Sequence, residues 1–285
     1  MFANVLKLLT KKRRKMIKKH IITLTVIITL LVIAKVFAYN MPQAAESLLK
    51  EEKTTRNNDT LVSEIEEPAQ TMADLKFAEE GLPLGDAIVE RKMEKALAKF
   101  SYSNLQTNRL HNKAAEWFPV IEPILAAYGI PEDFKYMPLV ESGLKSGVSP
   151  KGAAGFWQFM PATARGYGLK VNSKVDERNN LRKSTVAAAK YIKELYGIFD
   201  NWALVAAAYN VGDNHMRKQI NRQKQDNYFK MKLNSETASY VYKLISMKQI
   251  MEYPNQYGYK APRAFLAYNA EKAAANEANK AEQAE

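Results

Sequence analysis

The 285-residue chain has no cysteine and three histidines. The first absence excludes disulfide staples, thiolate nucleophiles, iron–sulfur clusters, cysteine-ligated zinc and a lipidated N-terminal cysteine. Two of the histidines, His111 and His215, stand far apart, and no His/Asp/Glu spacing suits a metal, so no metal and no cofactor is expected. Glycine and proline are few, at 12 and 11, which excludes collagen-like and low-complexity chains. What is there, 47% apolar and 10% aromatic residues, is ample for a packed core.

Acidic residues are absent from residues 1–40, which carry nine of the twelve net positive charges. The rest of the chain is nearly balanced, with 33 basic against 30 acidic side chains. A basic arm alone would suit nucleic acid. This one runs straight into Ile21–Ala34, fourteen residues without a charge, and the apolar stretch reaches Ala38 if Lys35 snorkels. A basic flank before an apolar run keeps the flank cytoplasmic and sends the following chain across. The expectation is therefore a cytoplasmic-membrane anchor at residues 21–38, an extracytoplasmic main domain and no nucleic-acid partner. Val36-Phe37-Ala38 also fits a cleaved signal peptide, which exports the same domain.

Four segments follow: 1–40, basic arm and anchor; 41–87, a polar tether; 88–255, the main domain; and 256–285, an Ala/Glu/Lys-rich tail without an apolar face. Helical periodicity dominates the main domain, and no βαβ unit, phosphate loop or repeat is visible. Helices are predicted over 92–100, 112–128, from Pro131 to about Ser142, 185–199 with Ser184 as cap, 202–210 and 236–252. The 202–210 helix (WALVAAAYN) is apolar nearly all round and should be central. The fold class is all-α.

Glu141 ends the apolar run Tyr136–Val140, and a carboxyl at a helix C-terminus, losing hydration, should titrate high. A general acid working near neutral pH needs that property. On its own the position favours a surface glutamate near a helix end. The surroundings argue otherwise. Gly147, Gly152 and Gly155, with Ser149, Pro150, Ala153 and Ala154, make a small-residue loop that lets a ligand approach backbone. Phe156-Trp157-Gln158-Phe159-Met160-Pro161 then offers aromatic faces and an amide, which suit a sugar ring. Trp157 and Phe159 could equally be core; Gln158 could not easily be. Asp176 and Glu177, beside Arg178, read as structural ion pairs, and Asp213 after Gly212 as a turn residue.

Together these blocks resemble a family. Glu141-Ser142, Ser149–Gly155, Trp157–Pro161 with Thr163-Ala164, Ala208–Gly212 and Glu236-Thr237 with Tyr240-Val241 are similar, in order, to the lytic murein transglycosylases of the soluble-transglycosylase (SLT) type. The Trp-Gln-Phe variant, Val175–Arg178 and Ser184–Ala188 most resemble the membrane-bound D-type enzymes. The resemblance implies a goose-type-lysozyme-like helical domain acting on peptidoglycan. It would cleave the β-1,4 bond between N-acetylmuramic acid and N-acetylglucosamine without water, leaving a 1,6-anhydro end. It implies Glu141 as the single acid/base, Ser149 as a substrate-orienting hydroxyl, and Gln158, Met160, Tyr209, Asn210 and Glu236 along the cleft, with Tyr209 near the carboxyl. A monomer is expected. Val211 departs from the usual small residue after Tyr-Asn, and LysM repeats are not seen after the domain, which leaves anchoring to the membrane segment. Two other functions fit the same residues: a goose-type hydrolase, and a tethered peptidoglycan-binding protein without activity.

Overall fold

A computed structural model describes residues 71–142 and 148–282. The expected anchor at residues 21–38 and residues 143–147, with Gly147, lie outside the described residues. Among the described residues no helix is long and apolar enough to cross a membrane.

Among the described residues the architecture is helical, as the periodicity requires, with one two-stranded antiparallel ribbon, β1 (Lys76–Phe77) and β2 (Glu80–Gly81). The helices are α1 (Ala87–Phe100), α2 (Tyr102–Leu105), α3 (Arg109–Ala127), α4 (Met137–Ser142), α5 (Pro161–Gly166), α6 (Leu181–Phe199), α7 (Trp202–Val211), α8 (Asp213–Gln223), α9 (Tyr240–Glu252) and α10 (Arg263–Glu282). Helix α7 is central, with Ala203–Ala208 all buried. Its alanines let α6, α8 and α9 pack closely on it. Helix α3 lies along α6 and buries Leu110, Ala114, Phe118, Ile121 and Leu125. It carries Pro119 and Pro123 internally, and both face solvent, where water can hydrate the freed carbonyls.

Three local expectations change. The α6 cap is Asn180, whose side chain accepts the Lys183 N–H at 2.9 Å; Ser184 lies inside the helix and donates to the Asn180 carbonyl. An extended residue just ahead of the helix can reach the free N–H groups, whereas one already in the first turn cannot. The end of the stretch expected to be a tether is ordered and structural. The Glu80 carboxylate accepts the Trp202 and Ala203 N–H groups, capping the central helix, and buried Asp133 accepts from the Ala78 N–H and Lys248. The tail forms α10, whose first turns dock on α3. There Phe265 is buried, Tyr268 donates to Glu122, and Lys272 bridges Glu122 and Glu132. Three spaced side chains are enough to dock it, although its composition shows no continuous apolar face.

Candidate active site

Glu141 lies in the last turn of α4, which packs against α9. Its carboxyl Oε1 accepts a 2.5 Å hydrogen bond from the Tyr240 hydroxyl. The residue keeps some contact with solvent, but its carboxyl is densely surrounded. Burial is the main reason that its pKa rises from 4.5 to about 7. The Tyr240 bond opposes that rise, the nearby charge of Glu236 adds to it, and Lys243 counters it. Tyr240 itself, buried and next to this carboxyl, is pushed well above its ordinary range, so it remains a proton-bearing donor. Desolvation thus accounts for the high titration that helix position suggested from sequence.

The small-residue loop is folded by its own backbone. The Ser149 N–H donates to the Ala153 carbonyl at 2.8 Å, and the Ser149 hydroxyl oxygen accepts the Ala153 N–H at 3.0 Å. Arg178 clamps the loop from outside, donating to the Gly152 and Phe159 carbonyls at 2.8 and 2.9 Å. Asp176 aims that guanidinium through two charge-assisted bonds at 2.8 and 2.7 Å, and Lys183 pairs with Glu177, so both acids serve structure as their sequence context suggests. Only glycine fits at 155. Its φ is +78°, and a Cβ there would stand 2.0 Å from the Arg178 carbonyl oxygen.

That close approach turns the next residues. Gln158 sits at φ +47°, uncommon for a side-chain-bearing residue, with its amide donating to the Gly155 carbonyl at 2.9 Å. Trp157 and Phe159 point inward as core, the Trp157 indole N–H donating to Thr185 at 3.0 Å. Met160 is 43% exposed at the start of α5. The Tyr209 hydroxyl donates to the Trp157 carbonyl at 2.9 Å and its ring lies 5.9 Å from that of Phe159, tying the end of α7 to the loop. Asn210 accepts from the Thr237 hydroxyl at 2.9 Å, which joins α7 to the turn before α9. Glu236 is exposed, and its charge reaches Glu141.

Glu141 therefore interacts electrostatically with both Tyr209 and Glu236, and Gln158 and Asn210 adjoin them through the Trp157 and Thr237 bonds. Ser149 and Met160 border the same loop without a contact to Glu141 among the described residues. Tyr240, which sequence reading placed in a motif block and on one face of the 236–252 helix without a site role, is the group bonded to Glu141. Its signal was position: it belongs to the same motif block as Glu236 and Thr237. Among the described residues no group of acidic or histidine side chains could hold a metal. His111 is buried and bonded to the Ile250 carbonyl, and burial lowers its pKa.

Residues 120–232, which include the small-residue loop, the end of α7 and the elements between them, match the family model described as the Transglycosylase SLT domain. Among curated proteins, the chain is 33% identical over 188 residues to membrane-bound lytic murein transglycosylase D of Escherichia coli strain K12, and equally to that of strain O6:H1. Each alignment covers 64% of this chain and 40% of the relative, so the chain spans about two-fifths of the relatives' length. Among solved structures, an inactive mutant of the lytic transglycosylase Slt from Pseudomonas aeruginosa aligns over 64% of this chain and 34% of its own, at 18% identity and a TM-score of 0.39.

Proposed function

We propose that this chain is a peptidoglycan lytic transglycosylase with Glu141 as its only acid/base, working on glycan strands outside the cytoplasmic membrane. The observation that carries the reading is the Glu141–Tyr240 pair: one carboxyl, held near neutral pKa by burial and bonded to a buried tyrosine hydroxyl. Glycosidases that use water or an enzyme nucleophile place two carboxyls about 5–10 Å apart. Here the other acid that reaches Glu141, Glu236, is exposed, and its charge raises the Glu141 pKa, which suits it to tune charge and line the cleft.

Protonated Glu141 donates its proton to the glycosidic oxygen as the C1–O bond breaks. Tyr240 holds Oε1 throughout, steadying the carboxylate that results. That carboxylate then takes the proton of the muramic C6 hydroxyl as O6 attacks C1. An anhydro ring closes, no water is consumed and Glu141 is again protonated. Acid/base assistance of this kind is worth about 10²–10⁴-fold, and positioning by Gln158, Tyr209, Asn210 and the Ser149 loop supplies further acceleration. The membrane anchor at residues 21–38 completes the reading, with a monomeric enzyme held at the envelope.

Mass spectrometry of digested peptidoglycan tests it. Transglycosylase products are lighter by one water than hydrolase products, and Glu141→Gln yields neither while still binding glycan. Products carrying the added water would make the chain a hydrolase. Turnover by Glu141→Gln would remove Glu141 from its role.

A further inference from the structure

We infer that a ladder of three tyrosines carries the cleft away from Glu141 to an outer saccharide subsite, where Tyr191 and Tyr167 stack on a pyranose ring and Glu194 and Asp213 accept its hydroxyl hydrogens. This rests on the glycan reading proposed above.

The ladder begins at Tyr209, which is fixed to the Trp157 carbonyl. The Tyr191 ring follows at 5.3 Å and the Tyr167 ring at 5.0 Å beyond it, tilted by 42° and 36°. Phe159, 3% exposed, backs the first two rings and keeps them in place. Tyr209, Tyr191 and Tyr167 are all half-buried, so the ladder runs along the surface as it leaves the catalytic carboxyl. Ring-to-ring steps of this size are comparable to the advance per sugar along a β-1,4-linked strand, and aromatic faces complement the apolar faces of such sugars.

The outer end has the matching polar edge. The Tyr167 hydroxyl donates to Glu194 Oε2 at 2.8 Å, leaving Oε1 available as an acceptor. Asp213, at the start of α8, lies close enough that its charge, with that of Glu194, adds to burial in holding the Tyr191 phenol up at about 12. Neither Glu194 nor Asp213 forms a salt bridge among the described residues. Two carboxylates without cations repel an anionic occupant and accept from a neutral polyol. The occupant is thus the uncharged, hydroxyl-rich part of the strand whose reacting bond lies at Glu141, because the ladder is continuous with the wall of that site.

The test is calorimetric titration of the full-length chain carrying Glu141→Gln, with N-acetylchitotriose and N-acetylchitohexaose as probes. The longer probe should bind about tenfold more tightly. Adding Tyr167→Ala should abolish that gain and leave triose affinity unchanged. Adding Tyr167→Phe should retain most of it, because the ring remains. Glu194→Gln with Asp213→Asn provides a second route that leaves the rings intact and should reduce the gain severalfold. A length gain that survives both Tyr167→Ala and the carboxamide pair overturns the subsite, as does equal weakening of both probes. A chain that binds neither probe overturns the glycan reading and the subsite with it.

Discussion

Replacing Glu141 with glutamine should abolish turnover and stabilise the fold, and the size of the gain should depend on pH. In the unfolded chain Glu141 ionises near 4.5, whereas in the folded domain it ionises near 7. Below 4.5 both states hold the proton and the site costs nothing. Between 4.5 and 7 the unfolded state has released a proton that the folded state keeps, so raising the pH favours unfolding. Above 7 the full cost is present. The interval from 4.5 to about 7 corresponds to about 3 kcal/mol at 1.36 kcal/mol per pH unit. Glutamine removes the charge, preserves the shape and still accepts from the Tyr240 hydroxyl. Urea unfolding of wild type and Glu141→Gln should therefore nearly coincide at pH 4 and separate by about 2–3 kcal/mol at pH 8, with the variant more stable. Trp117, Trp157 and Trp202, the chain's three tryptophans, all lie in the folded domain and report the transition by fluorescence. A separation that is the same at both pH values, or that favours wild type at pH 8, would refute the buried-carboxyl argument.

Tyr240→Phe removes a bond that favours the charged carboxyl, so the alkaline limb of the pH dependence of kcat/KM should move upward, while Glu236→Gln removes a repelling charge and should move it downward. Steady-state rates on purified peptidoglycan between pH 5 and 9 measure both shifts. Gly155→Ala should destabilise the domain by about 2–4 kcal/mol in denaturant titration, since the methyl group collides with the Arg178 carbonyl at a positive φ. Glu80→Ala removes the acceptor at the start of α7 and should cost about 1 kcal/mol in the same experiment. Because burial raises the Glu80 pKa, the folded state takes up a proton before the unfolded chain does, so the wild-type advantage over Glu80→Ala should widen as pH falls toward 4.5.

The elements legible in the sequence are those whose signal is local. Helix α7 announces itself by an unbroken apolar run, and α3, α6 and α9 by stripes of large residues, because burial on one face needs nothing beyond helical spacing. Glu141, Gln158 and Tyr209 were legible for a different reason: short motif blocks in a fixed order carried them, and chemistry restricts which residues such blocks can hold. What escaped notice is long-range and polar. The Glu80 cap reaches across 122 residues to Trp202, and the Lys272 bridge reaches 150 back to Glu122. Each depends on which surfaces meet after collapse, which no window of sequence contains. Arg178 lies between these cases. Its ion pair with Asp176 is readable two residues away, but its hold on the Gly152 and Phe159 carbonyls is not. That hold is also what requires glycine at 155.

Tyr240 shows why a core stripe and a catalytic partner are hard to separate by pattern. Position 240 lies on the buried face of α9 and would satisfy the helix as phenylalanine. Only its hydroxyl, 2.5 Å from Glu141, makes the difference. The proposed mechanism asks one carboxyl to give up a proton and then to recover one, so neither form can be greatly favoured. Burial alone would leave Glu141 protonated well past neutrality and make it a reluctant base, whereas full hydration would leave it ionised and useless as an acid. Tyr240 and Lys243 draw the carboxyl down while burial and Glu236 push it up, and the opposing influences meet at about 7. The four residues responsible come from α4, α9 and the turn before α9, so the packing of α9 against α4 is itself what sets the chemistry of the site.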